Sequence, residues 1–393
     1  MSDHTIPLAS RKPIGVAQQH ATRVGFLIAG LGMSVWAPLV PYAVLRIGMD
    51  DATLGLLLLC LGIGSICAMP MTGSLAERFG CRAVIICAAI FIMLCLPLLA
   101  TVPSIMTLGI MLFIFGASVG TIDVAINIQA VLVEKASGKP MMSGFHGLYS
   151  LGCIIGAGGV SLLLTLGIAT LTTTLAAVAC IILLLLFGAR HMLPYANVMD
   201  ANQGHQEKSP IFILPRGKVA FIGILCFICF LVEGAILDWS AVFLTTVKNF
   251  ATAEGGIGFT LFAFTMTFGR LTGDLIVKTF GNFKVLLAGS LTTATGLALV
   301  VYGTNDLITL VGFALIGLGA SNIVPILFSA AGNQSQMPTN LAITAVTTMG
   351  YLGILAGPAL IGFISHAISL SFAFSAIAVL MLVITGSARY IVK

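Results

Sequence analysis

The sequence predicts an all-α membrane protein with twelve transmembrane helices arranged as two six-helix bundles. Three observations carry that prediction. About a dozen apolar stretches separated by short polar breaks fill the chain from Arg23 to Lys393, each near the roughly 20 residues that cross a hydrocarbon core. Only 8% of the 393 residues are charged while 59% are hydrophobic, and mean hydropathy is +1.12. So few charges could not cover the surface of a soluble protein of this size. Finally, the two halves echo each other at an offset of about 200 residues, so each half is expected to fold as one six-helix unit.

The spans are expected at 23–46, 53–76, 82–101, 104–133, 141–166, 169–189, 218–245, 255–277, 283–302, 306–331, 340–365 and 370–391. Their apolar runs are continuous rather than alternating, which excludes barrel strands. A spanning segment must satisfy its backbone internally, so each is a helix. With the N-terminus inside, Arg11, Lys12, Arg23, Arg78, Arg82, Lys135, Lys139, Arg190, Lys208, Arg216, Lys218, Lys278, Lys284, Arg389 and Lys393 fall on the cytoplasmic side, and only Arg46 and Lys248 fall outside. That asymmetry predicts both termini in the cytoplasm of a bacterial inner membrane.

Residues 1–22 are polar and basic and read as a cytoplasmic tail, without the apolar core of a signal peptide. The expected organisation is that tail, a first bundle at 23–190, a cytoplasmic linker at 191–217 carrying the polar run Asp200 to Lys208, and a second bundle at 218–393. A linker there lets two bundles move against each other.

Composition narrows function. The formal charge of +5 is too small and spread for a nucleic-acid partner. The nine cysteines lie in apolar stretches or at a helix end and behave as small hydrophobes, Cys226-x-x-Cys229 included. There is no Walker loop, metal-ligand spacing or catalytic triad, so neither an enzyme, a primary pump, a cofactor nor a metal is expected. The chain is expected to act as a monomer in the bilayer.

Three echoes define the repeat: Gly116-Ala117-Ser118 with Gly319-Ala320-Ser321, Tyr149-Ser150-Leu151-Gly152 with Tyr351-Leu352-Gly353, and Gly73-Ser74-Leu75 with Gly273-Asp274-Leu275. The last pair opens a loop motif. Gly73-Ser74-Leu75-Ala76-Glu77-Arg78-Phe79-Gly80-Cys81-Arg82, between the second and third spans, resembles the loop signature of the major facilitator superfamily, with Glu77 in place of the usual aspartate. The second copy, Gly273 to Gly281, is degraded and one residue longer. Locally, the glycines allow close helix approach, and the acid and arginines can clamp one bundle to the other at the inner face. The resemblance implies the major facilitator fold; it does not identify a substrate.

A narrower resemblance follows. Gly116 to Asn127 is similar to a stretch of fucose-permease-type proton symporters, with Asp123 where that group carries a glutamate implicated in proton coupling. His146 to Gly152, Glu233-Gly234 and Asp238-Trp239 resemble the rhizopine-transporter/YbjJ-type branch. The fucose permeases also carry an acid in the first span. This chain has the uncharged Gly32 to Ala37 there, so a two-acid sugar-symport mechanism does not transfer whole. The fifth span, Gly152 to Gly159, only partly matches the glycine–proline motif of proton-driven exporters, with Ala157 for the proline.

An ionisable group at bilayer depth costs about 2.5–3.5 kcal/mol and normally faces a partner or a wet cavity. Five are present: Asp123, His146, Glu233, Asp238 and Arg270. Asp123 and Asn127 are four apart and share a helix face, which suits a cavity lining. The alternative for Asp123 is an interhelical bond or a salt bridge to Arg270. His146, at similar depth, could exchange protons with Asp123, or could be bonded to backbone near the inner interface. Tyr149, a turn later, presents its hydroxyl on the same face. Glu233 sits mid-span, and Asp238, five residues on, points elsewhere unless Gly234 bends the helix. Asp123, His146 and Glu233 are therefore the proton-coupling candidates. Asn127, Tyr149, Trp36, Asn322 and Tyr351 are the substrate-binding candidates, with Pro325 near Asn322. Gly73, Glu77, Arg78, Gly80, Arg82, Asp238, Arg270 and Asp274 are the gating candidates, and Arg270 is expected to pair with Asp274 one turn on.

These readings predict a secondary transporter taking up a small polar solute, a sugar or polyol derivative, with protons. A proton-driven exporter of drugs or metabolites is the alternative within the class. A non-transporting membrane receptor is the alternative outside it.

Overall fold

Arg46 and the carbonyls of Leu99, Ala100 and Val102 are joined by hydrogen bonds of 2.8, 2.6 and 3.0 Å, although helix α3 (Asp51–Thr101) separates them in sequence. The chain therefore leaves Arg46, crosses the molecule and returns. A continuous helix could not do this, since 51 residues at 1.5 Å each would extend about 77 Å, more than twice a bilayer core. The return is at Gly80, whose φ of 81° and ψ of 155° lie outside helical space. Helix α8 (Ile257–Tyr302) repeats the design. It breaks at Gly281 with φ 80° and ψ 155°, and Lys248 just before it bonds the carbonyls of Val301 and Gly303 near its end. The degraded second copy of the loop motif has thus kept the backbone geometry of the first.

The structure, a computed structural model, describes residues 14–49, 51–196, 214–250 and 256–392. Among them, ten apolar helical segments are long enough to cross a membrane. Folding α3 and α8 each into two makes twelve crossings and puts both chain ends on one face, here called the termini face. The basic residues Arg11, Lys12, Lys208 and Lys393 and the run from Asp200 to Lys208 lie outside the described residues.

The first crossing is built from α1 (Val16–Ser34), a 3-10 turn at Ala37–Leu39 and α2 (Val40–Ile47). Pro38 and Pro41 lack the N–H that would continue the helical ladder, which fits the interruption there. Helix α1 starts at Val16, so the end of the expected tail is already helical. Then come α4 (Ile105–Ser137), N-capped by Ser104, α5 (Met142–Thr165) and α6 (Thr170–Gly188). Helix α7 (Gly217–Val242) runs straight through Gly234. The bend that would have turned Asp238 toward Glu233 does not occur there, and the next irregularity is the π-turn Phe243–Val247. The tenth crossing breaks at Ser321–Asn322 into α9 (Asp306–Ala320) and α10 (Ile323–Asn333), three residues before Pro325. Helices α11 (Thr339–Ala367) and α12 (Leu370–Ile391) complete the chain.

Packing divides these helices into two groups, α1–α6 and α7–α12, joined by α5 on α8, α3 on α11, and α10 on α4 and α5. The expected linker begins later than 191. Met192, Leu193 and Ala196 are buried under the first group. Leu193 N–H donates to Gln129 Oε1 at 3.0 Å and its carbonyl accepts from Arg82 N–H at 2.8 Å. Gln129 donates in turn to Thr22. The Pro194 carbonyl lies against Gly80, where a side chain would collide with it.

Candidate functional site

On the termini face the two groups are sealed together. Helix α5 begins with the backbone N–H groups that no helix can satisfy internally. Glu134, at the end of α4, accepts from Met141 and Met142 N–H at 2.7 and 2.9 Å and takes the Ser329 hydroxyl of α10 on its other oxygen. Asp274 of α8 lies against the N–H groups of Ser143 and Gly144. Two carboxylates, one from each group, thus neutralise the positive end of one helix. On the opposite seam, Asn340 of α11 donates to the Gly73 carbonyl at 3.1 Å and to Glu77 at 3.3 Å, and Lys135 reaches Thr339 at 3.3 Å.

The loop signature therefore reaches across the seam through Gly73 and Glu77. Arg78 lies over the ring of its neighbour Phe79, and Arg82 gives its backbone N–H to Leu193.

His146 sits deeper. It is 8% exposed, between Phe26 of α1 and Phe328 of α10, with ring centroids at 5.2 and 5.7 Å. It is an aromatic plug between the groups, with Nε2 unpartnered. Asn127 is enclosed, donating to the Asp123 backbone carbonyl at 2.9 Å, so the shared face does not expose both side chains equally. Asn322 is buried and spends its amide on the Gly269 carbonyl and Ser321 hydroxyl beside the break in α9–α10. Trp36 is buried at the kink of the first crossing.

At mid-depth the polar groups gather. Arg270 donates to Glu233 at 3.0 Å, the side chains 8% and 18% exposed respectively. Its other terminal nitrogen reaches Ser150 of α5 at 3.2 Å. This corrects the expected pairing of Arg270 with Asp274. A one-turn spacing puts both on one face of α8, but each side chain takes a different partner on a neighbouring helix. It also removes the alternative of an Asp123–Arg270 bridge. Among the described residues Asp123 makes no ion pair. It is half-buried, within electrostatic reach of Tyr149 of α5 and Tyr351 of α11. The Tyr149 hydroxyl donates to Met33 Sδ at 2.7 Å, and Tyr351 stands beside Phe230 at 6.2 Å. Asp238 is exposed, toward the face away from the termini.

Ser150, Glu134, Ser143, Gly144 and Asn340 escaped the sequence reading. Only Ser150 left a signal: the second repeat copy, Tyr351-Leu352-Gly353, skips that serine.

A twelve-crossing bundle in two groups, sealed on one face and holding a mid-depth cluster of acids and tyrosines from both groups, is the architecture of a membrane transporter. The chain belongs to the Major Facilitator Superfamily, whose family model matches residues 24–335. It is 54% identical to an uncharacterized MFS-type transporter of Yersinia pestis over 96% of this chain and 97% of that one. It is also 30% identical to the membrane protein MosC of Rhizobium meliloti, over 88% of this chain and 83% of that one. Among solved structures, FucP in its outward conformation superposes with a TM-score of 0.78 at 19% identity, over 97% of this chain and all of that one. The human organic anion transporter MFSD10 gives 0.73 at 15%, over 96% of this chain and all of that one. At those identities the likeness is one of fold. No enzyme chemistry enters this assignment, and the chain is a multi-pass membrane transporter.

Proposed function

We propose that this transporter takes up a small polar solute, a sugar or polyol derivative, together with protons across a bacterial inner membrane. The termini face is then cytoplasmic, as the lysine and arginine distribution requires. The bundles 23–190 and 218–393 rock about the mid-depth cluster, the segment 192–196 moving with the first bundle and the tail and the rest of the linker staying on the cytoplasmic side.

One observation carries the reading. Of the two half-buried acids at mid-depth, Glu233 has Arg270 as counter-charge and Asp123 has none among the described residues. An acid held in a low-dielectric cavity without a cation is most easily accommodated when it carries a proton. Asp123 therefore takes and releases the coupling proton, between tyrosine hydroxyls that contact the solute. Arg270, committed to Glu233 and Ser150, is not free to receive an anion, which favours an uncharged, hydroxyl-bearing cargo. A solved relative in fold, FucP, is named a fucose:proton symporter.

A thermal-shift screen of the purified protein against sugars, polyols, amines and antibiotics finds the solute. Proteoliposomes carrying an internal pH dye then test the coupling. Addition of the solute outside acidifies the lumen for the proposed symporter. Alkalinisation establishes the exporter instead, and solute flux with no proton movement refutes coupling.

A further inference from the structure

We infer that Ser150 is a positioning residue: it anchors the Arg270 guanidinium to the other bundle and so latches the cytoplasmic seam shut. Glu233 and Arg270 both belong to the second group, on α7 and α8, and their ion pair alone would travel with that group. Ser150 makes it a tie between bundles, accepting from Arg270 Nη1 at 3.2 Å while its own hydroxyl donates to the His146 carbonyl at 3.2 Å. That second bond fixes the serine rotamer with its lone pairs toward Arg270.

The position matters. Along α5, Gly144 lies against Asp274 and Gly147 against Leu271, where a Cβ would stand 3.1 Å from the Leu271 backbone nitrogen and 2.7 Å from its side chain. Ser150 is the next rung, half-buried, and beyond it Ile154 is exposed. The serine therefore sits where the sealed seam gives way to the open side of the molecule. Its bond to Arg270 is the last one to be broken or formed as α5 and α8 part.

A hydrogen bond to a charged group shifts an equilibrium by about tenfold or more. The latch rests on the alternating-access reading but not on the identity of solute or coupling ion. Hydrogen–deuterium exchange of the whole chain in nanodiscs tests it. Ser150→Ala is expected to speed exchange about tenfold in peptides covering 143–149 and 270–276, and to slow it at the opposite ends of α1 and α7, because one face opens as the other closes. Ser150→Thr, which keeps the hydroxyl, is expected to restore the wild-type pattern. If Ser150→Ala does not fold, the near-isosteric Ser150→Cys replaces it with the same expectation, weakened because a thiol accepts poorly.

Gly147→Val, which wedges the same seam by bulk, is the reference. Opposite changes on the two faces with Gly147→Val but none with Ser150→Ala overturn the latch and leave alternating access standing. Faster exchange on both faces with Ser150→Ala also overturns it, marking mere loosening. No coupled change with either variant removes alternating access itself.

Discussion

Arg46 and Lys248, about 200 residues apart and in corresponding places of the two halves, do the same work. Each caps the carbonyl end of the helical hairpin that follows it, Arg46 on Leu99, Ala100 and Val102 and Lys248 on Val301 and Gly303. They are also the two cations that the charge asymmetry leaves on the far face. A cation at a helix C-terminus satisfies carbonyls that the helix cannot and meets the negative end of its dipole. Their place on that face is structural, so they do not weaken the orientation drawn from the rest.

Loss of either cap therefore costs stability. Arg46→Ala is expected to destabilise by about 2–3 kcal/mol and Lys248→Ala by about 1–2 kcal/mol, since bonds to charged donors contribute about 1.5–3 kcal/mol each in favourable cases and exposed ones less. Chemical or thermal denaturation in detergent checks the order. Equal midpoints for both variants and the wild type would show the caps to be idle.

Gly80 and Gly281 share one backbone conformation but not one environment. Alanine at 281 meets nothing within 4 Å and suffers only the glycine-type backbone conformation, about 1–3 kcal/mol. At 80 the same methyl also strikes the Pro194 carbonyl. Gly80→Ala is expected to lose folded protein where Gly281→Ala merely lowers the melting midpoint, as fluorescence-detected gel filtration would record. Similar yields for the two would contradict the buried segment at 192–196.

Asp274 of α8 lies against the first N–H groups of α5, a contact between the bundles. Asp274→Asn removes the charge that favours that helix end, expected to shift the balance between the two faces about threefold toward an open termini face. Spin-label distances between α5 and α8 at that face should lengthen in the variant. An unchanged distance distribution would make the contact incidental.

The crossings, the repeat and the loop motif were legible because each is local: apolar run length, glycine placement and charge sidedness need no knowledge of neighbours. Partner choice was not. Arg270 and Asp274 satisfy the one-turn rule on paper, yet Glu233 and Ser150 arrive from α7 and α5 at the height of one, while the N–H groups of α5 arrive at the other. For His146 proton exchange with Asp123 and a backbone bond both stayed open in the sequence, because depth was legible and rotation was not; its ring faces Phe26 and Phe328. The segment 192–196 read as linker because its three buried side chains have no period to announce them.

Proton coupling at Asp123 is the central claim, and solute exchange separates it from binding. In proteoliposomes loaded with the solute found by screening, Asp123→Asn is expected to exchange labelled solute across the membrane at near wild-type rate, because a neutral side chain mimics the protonated state. It is expected to lose accumulation against a gradient by at least tenfold, because no proton can be released. Uphill accumulation by Asp123→Asn with wild-type pH dependence would contradict the account.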